Sequence, residues 1–211
     1  MFGHIALLGD SIFDNGVYTN GEPDVVTHLR ALLPPRWRAS LLAVDGSITS
    51  DLDEQLAKIQ VGVTHLVISM GGNDALQSYD LLTYPVSSTA EALTTLGKRA
   101  VQFEINYRAA IDVALALDRN TTICTIYNVN FGADEALQAR VGLTVFNDVI
   151  LRVAFERKLS VIDLRLVCDE TADYANPIEP SGRGGKKIAA AIVRSLGILN
   201  GKSKRSCVYV G

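Results

Sequence analysis

Five short apolar runs, punctuated by glycine, aspartate or asparagine, constrain this chain more than any other feature of it. Residues 4–8 run into Gly9-Asp10-Ser11, residues 39–44 into Asp45-Gly46, and residues 65–70 into Gly71-Gly72-Asn73-Asp74. Residues 121–127 are β-branched and bounded by Asn120 and Asn128, and residues 160–167 contain the fifth run. Continuous apolar runs are what parallel strands look like when helices cover both faces of their sheet; a half-exposed strand would alternate instead.

Helical periodicity fills the intervals. Leu52, Leu56 and Ile59 make a short stripe after Ser50 or Asp51, either of which suits an N-cap. Leu93, Leu96, Ala100, Phe103, Tyr107, Ile111 and Ala114 recur at spacings of three and four, as do Leu137, Val141, Val145, Val149 and Val153. Ile188, Ile192 and Leu196 form the last stripe. Five strands alternating with these helical segments predict an α/β fold, a three-layer α/β/α sandwich of flavodoxin-like type around a five-stranded parallel sheet. The length of 211 residues suits one domain, expected over residues 1–200, with a tail at 201–211. No linker, repeat or low-complexity tract interrupts it.

Composition narrows the function classes. A net charge of −3 argues against nucleic acid or an anionic membrane surface as the principal partner. Lys202, Lys204 and Arg205 form a short basic cluster that reads as a solvated tail. No apolar run approaches the roughly 18–20 residues of a membrane span. The N-terminus runs into a strand-like segment with no secretory pattern, and Cys124, Cys168 and Cys207 fit no disulfide, zinc or redox spacing. The expectation is a cytoplasmic protein that needs no cofactor, with oligomeric state left open.

In open parallel sheets, ligands bind beyond the C-terminal strand ends, where the strand order reverses. That rule selects the loops after the first three strands. Gly9-Asp10-Ser11 places a hydroxyl just past a strand end, and Gly71-Gly72-Asn73-Asp74 offers close backbone approach and an amide donor. Each block is also ordinary turn composition. A flavodoxin-type nucleotide binder is disfavoured, because the first loop lacks a Gly-rich phosphate cradle and contains no Lys.

These blocks resemble the SGNH hydrolases, also called GDS-L-like, whose signature is a Gly-Asp-Ser, a glycine after the second strand, a Gly-x-Asn-Asp after the third and a late Asp-x-x-His. Order and spacing match over nearly the whole chain. The resemblance implies an esterase acting on a small ester or acylated substrate through an acyl-enzyme, with Ser11 as nucleophile. Its oxyanion hole would comprise the Ser11 and Gly46 backbone N–H groups and the Asn73 side chain, each worth on the order of 3 kcal/mol.

The fourth block departs from the family. This chain reads Asn176-Pro177-Ile178-Glu179-Pro180-Ser181, so Glu179 falls where the histidine belongs and Asn176 where the aspartate belongs. No histidine follows His65; His4, His28 and His65 read as structural or surface residues. A carboxylate of ordinary pKa, about 4.3, is a poor base at neutral pH, but burial strengthens it. Glu179 is therefore expected as a variant base; the alternatives are a helix-entry acid, or a non-catalytic acyl- or carbohydrate-binding protein that has lost its base. Asp10 and Asp74 flank the nucleophile and the amide donor, where they brace loops, contact substrate or stand in as base. Tyr127, Asn128 and Asn130 are expected to line the pocket. Residues 77–89, with Tyr79, Leu81, Leu82 and Tyr84, form the expected substrate-facing loop.

Overall fold

The computed structural model describes residues 2–198 and 207–209. Lys202, Lys204 and Arg205, and most of the expected tail, lie outside the described residues. The five runs form strands β1 (Gly3–Gly9), β2 (Trp37–Leu41), β3 (His65–Ser69), β4 (Asn120–Cys124) and β5 (Ser160–Ile162). They pair in parallel in the order β2-β1-β3-β4-β5. The chain reverses direction across the sheet between β1 and β3, so their C-terminal ends flank the switch-point crevice.

Strand β1 explains why its apolar run is continuous. Ile5 and Leu7 pack to one face of the sheet, with residues of α1 (Val25–Leu32) and α6 (Gly182–Ser195). Ala6 and Leu8 pack to the other, with α2 (Leu52–Leu56), α4 (Thr89–Ala116) and α5 (Ala133–Glu156). Every residue of β1 is buried. Side-chain caps start three helices: Asp24 accepts from Thr27 N, Ser88 from Glu91 N and Ser181 from Gly184 N.

Several expectations change in detail. The three-layer sandwich stands, but two helices that the stripes above do not include join it: α1, eight residues long with Val25, Val26 and Leu29 buried, and α3 (Gly72–Leu76). The Gly72-Asn73-Asp74 block is thus a helical turn. Neither Ser50 nor Asp51 caps α2 through its side chain. Asp51 instead accepts from Ile48 N, closing the turn before the helix. The fourth run stops being a strand at Thr125, whose hydroxyl bonds Asp163 and Leu164 N, and residues 125–127 turn toward the crevice.

Helices α4 and α5 pack side by side and run parallel to each other on one face of the sheet. Arg108–Glu156, Arg152–Glu104 and Arg157–Asp112 pairs bridge them, in the same order along both helices. Their buried residues begin at Phe103 in α4 and at Phe146 in α5. The N-terminal halves of both helices, with half of each apolar stripe, overhang the crevice instead of packing on the sheet.

Candidate active site

The turn that carries Ser11 is built by backbone constraint. Gly9 ends β1 at φ +133°, and a Cβ there would collide with the Ser69 carbonyl of β3. Only glycine lets the two strands approach so closely where the chain turns away. The Asp10 carbonyl then accepts from Phe13 N and Asp14 N (both 3.1 Å), and its carboxylate accepts from Ile12 N (3.1 Å). This tight turn holds Ser11 between them, 6 % exposed. Among the described residues, no protein acceptor takes the Ser11 N–H.

Ser11 Oγ donates to Glu179 Oε1 across 3.1 Å, although 168 residues separate them. Glu179 is itself buried, and its second carboxylate oxygen, Oε2, has no hydrogen-bond partner among the described residues. Burial pushes its carboxyl up to about 7; the Ser11 hydrogen bond opposes the rise and the negative charge of Asp45 adds to it. Asp10, fully enclosed beside it, is also pushed up to about 7, by burial first and then, against the Ile12 N–H, by the charges of Glu179 and Asp74. The site therefore holds two carboxyls that exchange protons near neutrality, a pattern that marks functional positions more often than structural ones.

Asn176 does not touch the Glu179 carboxylate. Its Oδ1 accepts from the N–H groups of Ile178 and Glu179, both at 2.9 Å, and so shapes the turn that carries Glu179. Behind that turn, Ala175 N donates to the Glu179 carbonyl (2.8 Å), and buried Asp173 accepts from Lys187 Nζ (2.7 Å) of α6. Two buried braces tie it to the rest of the crevice. Tyr127 donates its hydroxyl to the Ile178 carbonyl (2.5 Å), and Asn15 donates Nδ2 to the Pro180 carbonyl (3.1 Å) while accepting from Val25 N.

The amide donor sits on the opposite wall. Asn73, one residue into α3, donates Nδ2 to the Ser47 carbonyl at 2.9 Å, which leaves its second amide hydrogen for another acceptor. Gly46 adjoins Ser47 at φ +81°, in the left-handed region, and no described group accepts its N–H. Gln55 of α2 welds these loops together. Its Oε1 accepts from Gly9 N (2.8 Å), while its Nε2 donates to Gly9 O (2.8 Å) and Ser47 Oγ (3.2 Å). Asn15 and Gln55 escaped the sequence reading. The usable signal was a lone amide, Gln55, on the buried face of the Leu52–Leu56 stripe; Asn15 has none.

A cleft of about 450 Å³ opens from this point, within the range of small-molecule sites. Asp10, Ser11, Asn73, Tyr127 and Glu179 line it, as do Tyr79, Leu81 and Leu82 of the expected loop. Gly46, Asp74, Asn128, Asn130 and Tyr84 do not. Asp74 accepts from Thr49 N and Oγ1 (3.0 and 2.9 Å), and burial, opposed by these bonds, raises its pKa. The Asn128 carbonyl accepts from Tyr174, and Asn130 N donates to the Pro177 carbonyl. These residues brace the wall from behind. The histidines lie elsewhere: His4 and His65 at the opposite ends of β1 and β3, bonded to Ser40 and Thr64, and His28 on α1.

The strand order, with the crevice at its switch point, defines an α/β/α protein of the SGNH-hydrolase fold. The chain belongs to the GDSL-like lipase/acylhydrolase family, a family of ester-bond hydrolases, whose model matches residues 7–186. Among solved structures, it is similar to an extracellular lipase from Streptomyces rimosus (15 % identity, 92 % of this chain and 100 % of that one, TM-score 0.66). It is also similar to a phospholipase A1 from Streptomyces albidoflavus (15 %, 92 % and 100 %, 0.67) and an acetylxylan esterase from Geobacillus stearothermophilus (19 %, 92 % and 94 %, 0.65). At these identities the likeness is one of fold. No curated protein matches the sequence. No helix among the described residues is long and apolar enough to cross a membrane, and no described cluster of ligating side chains could hold a metal ion.

Proposed function

We propose that the protein hydrolyses carboxylic esters with Ser11 as nucleophile and Glu179 as its base. The observation that carries this reading is the Ser11–Glu179 hydrogen bond, between two buried groups at the inner end of an open cleft. In the first half-reaction, the Ser11 Oγ proton passes to Glu179 Oε1 as Oγ bonds to the ester carbonyl carbon. The tetrahedral oxyanion that forms takes hydrogen bonds from the Ser11 and Gly46 N–H groups and from Asn73 Nδ2. Its collapse breaks the bond to the alcohol oxygen, which leaves with the proton from Glu179, and an acyl ester remains on Ser11. Water then attacks that ester and gives its proton to Glu179. The second collapse returns the proton to Ser11 Oγ and releases the carboxylic acid.

A base must be ionised to accept a proton, so the raised pKa sets the working range. With Glu179 near 7, activity rises with pH through neutrality and levels off above it. A fluorophosphonate probe, which bonds to activated serines, tests both halves of the reading. Labelling at Ser11 is expected to be on the order of a hundredfold faster at pH 8 than at pH 5, and absent from Ser11→Ala. Failure to label at either pH would turn the site into that of an acyl- or carbohydrate-binding protein. Asn73→Ala is expected to lower kcat by about 100-fold with little change in KM, because the donor acts on charge that develops only in the transition state. A change confined to KM would make Asn73 a ground-state contact.

Two buried free thiols, Cys124 and Cys168, suit a reducing compartment, and we read the protein as cytoplasmic on that ground.

A further inference from the structure

We propose that the acyl group this site accepts is a medium-length alkyl chain, held between the overhanging halves of α4 and α5, and that acetyl esters are its poor substrates. The proposal rests on the hydrolase reading above and specifies its substrate. Three observations carry it.

The first is the distribution of polarity along the cleft. Its charged lining residues are Asp10 and Glu179, both at the Ser11 end, and no Lys or Arg lines it. Away from that end the walls are Leu93 and Leu96 of α4, Leu137, Val141 and Phe146 of α5, and Phe131 before it. Ser78, Tyr79 and Gln138 are the polar side chains away from that end, too few for a sugar hydroxyl array, and no cation is there to hold a phosphate, whereas a hydrocarbon chain needs only apolar walls.

The second is that the outer members of these walls lack a structural duty. The helix stripes bury their later members on the sheet, from Phe103 and Phe146 onward. Leu93, Leu137 and Val141 belong to the same stripes but are about 60 % exposed. Apolar residues lined up along an open cleft leave a patch for which burial under a ligand is favourable.

The third is size. From Leu137 to Phe146 the α5 wall advances nine residues, or about 13 Å at 1.5 Å per residue. An extended chain of single bonds advances about 1.2 Å per bond, so this wall matches roughly ten carbons. Acetyl, with one methyl beyond the carbonyl, would reach none of it.

The test is hydrolysis of p-nitrophenyl acetate, butyrate, octanoate and decanoate by the full-length protein, below the concentrations at which these esters aggregate. Burial of each methylene is expected to raise kcat/KM about threefold to fourfold, giving at least a hundredfold rise from acetate to octanoate. Gly142→Phe places a ring in the cleft from a position where a Cβ meets open space, and should collapse the octanoate-to-acetate ratio toward one. Ala139→Phe, on the same wall, serves if the first variant does not fold. A wild-type preference for acetate, or a ratio unmoved by a folded cleft variant, would overturn the proposal. If the wild type hydrolyses none of the four esters, the hydrolase reading fails by itself, and calorimetry with decanoate decides the cleft. Binding that Gly142→Phe abolishes would uphold an acyl site; no binding would refute it.

Discussion

Ser11→Ala is expected to reduce turnover of p-nitrophenyl esters by on the order of 10⁵-fold while the protein stays folded. The replacement removes one oxygen from a tight turn whose geometry depends on other groups: the Asp10 carbonyl, the Asp10 carboxylate and glycine at position 9. What is lost is the atom that bonds to the substrate, so no rearrangement within the turn replaces it. The loss should appear in kcat, and circular dichroism and the thermal midpoint should stay close to wild type. Turnover by purified Ser11→Ala protein at the wild-type rate would remove the serine from the mechanism.

The second large effect is expected at Glu179, the proposed base. Glu179→Gln keeps the shape and can still accept the Ser11 hydrogen bond, but it cannot take the proton. A positioned general base is worth about 10² to 10⁴ in rate, and kcat at pH 8 should fall within that range. Stability should move the other way. The carboxyl titrates near 4.5 when unperturbed and near 7 in the folded protein. Between those values the folded state binds more protons than the unfolded state, so wild-type stability declines as pH rises through this window. Glutamine has no such titration, and its removal of a negative charge also relieves Asp10. The variant's thermal midpoint should therefore gain on wild type between pH 5 and pH 8, with little difference at pH 5. A fully active Glu179→Gln enzyme would assign the proton to Asp10, the other carboxyl beside Ser11. A lower midpoint at pH 8 would mean that the buried carboxylate is paired rather than strained.

Much of this arrangement can be read from residue order, for identifiable reasons. The runs at residues 4–8 and 65–70 are buried on both faces, so their pattern does not depend on what covers them. The strand-end rule then points to Ser11, Asn73 and Gly46 without any knowledge of side-chain contacts. Strand ends are less legible. The apolar run at 121–127 continues past the sheet because the same residues that could extend β4 are needed to wall the crevice. Likewise, the stripe on α5 reads as one face from Leu137 to Val153, yet only its later members meet the sheet. Periodicity reports which residues share a face of a helix and carries no information about what that face meets.

By itself the sequence determined the layer architecture, the loops that face the crevice and the late carboxylate, Glu179, that we propose as base. Each follows from local pattern: burial on both faces, turn chemistry at strand ends, and register with the Pro180–Gly182 helix entry. Only the tertiary structure decided that Glu179 meets Ser11, that Asn176 shapes a turn instead of orienting the base, and that Gln55 and Asn15 bind the loops together. Apart from the local Asn176 turn, those contacts reach across tens to more than a hundred positions, from Gln55 to Gly9, from Asn15 to Pro180 and from Ser11 to Glu179, and their energetics depend on burial. A carboxyl in water at Glu179 would be an ordinary acid; enclosed beside Asp10, with one oxygen on Ser11 and the other unpartnered, it is pushed up to about 7, the range that the proposed base requires.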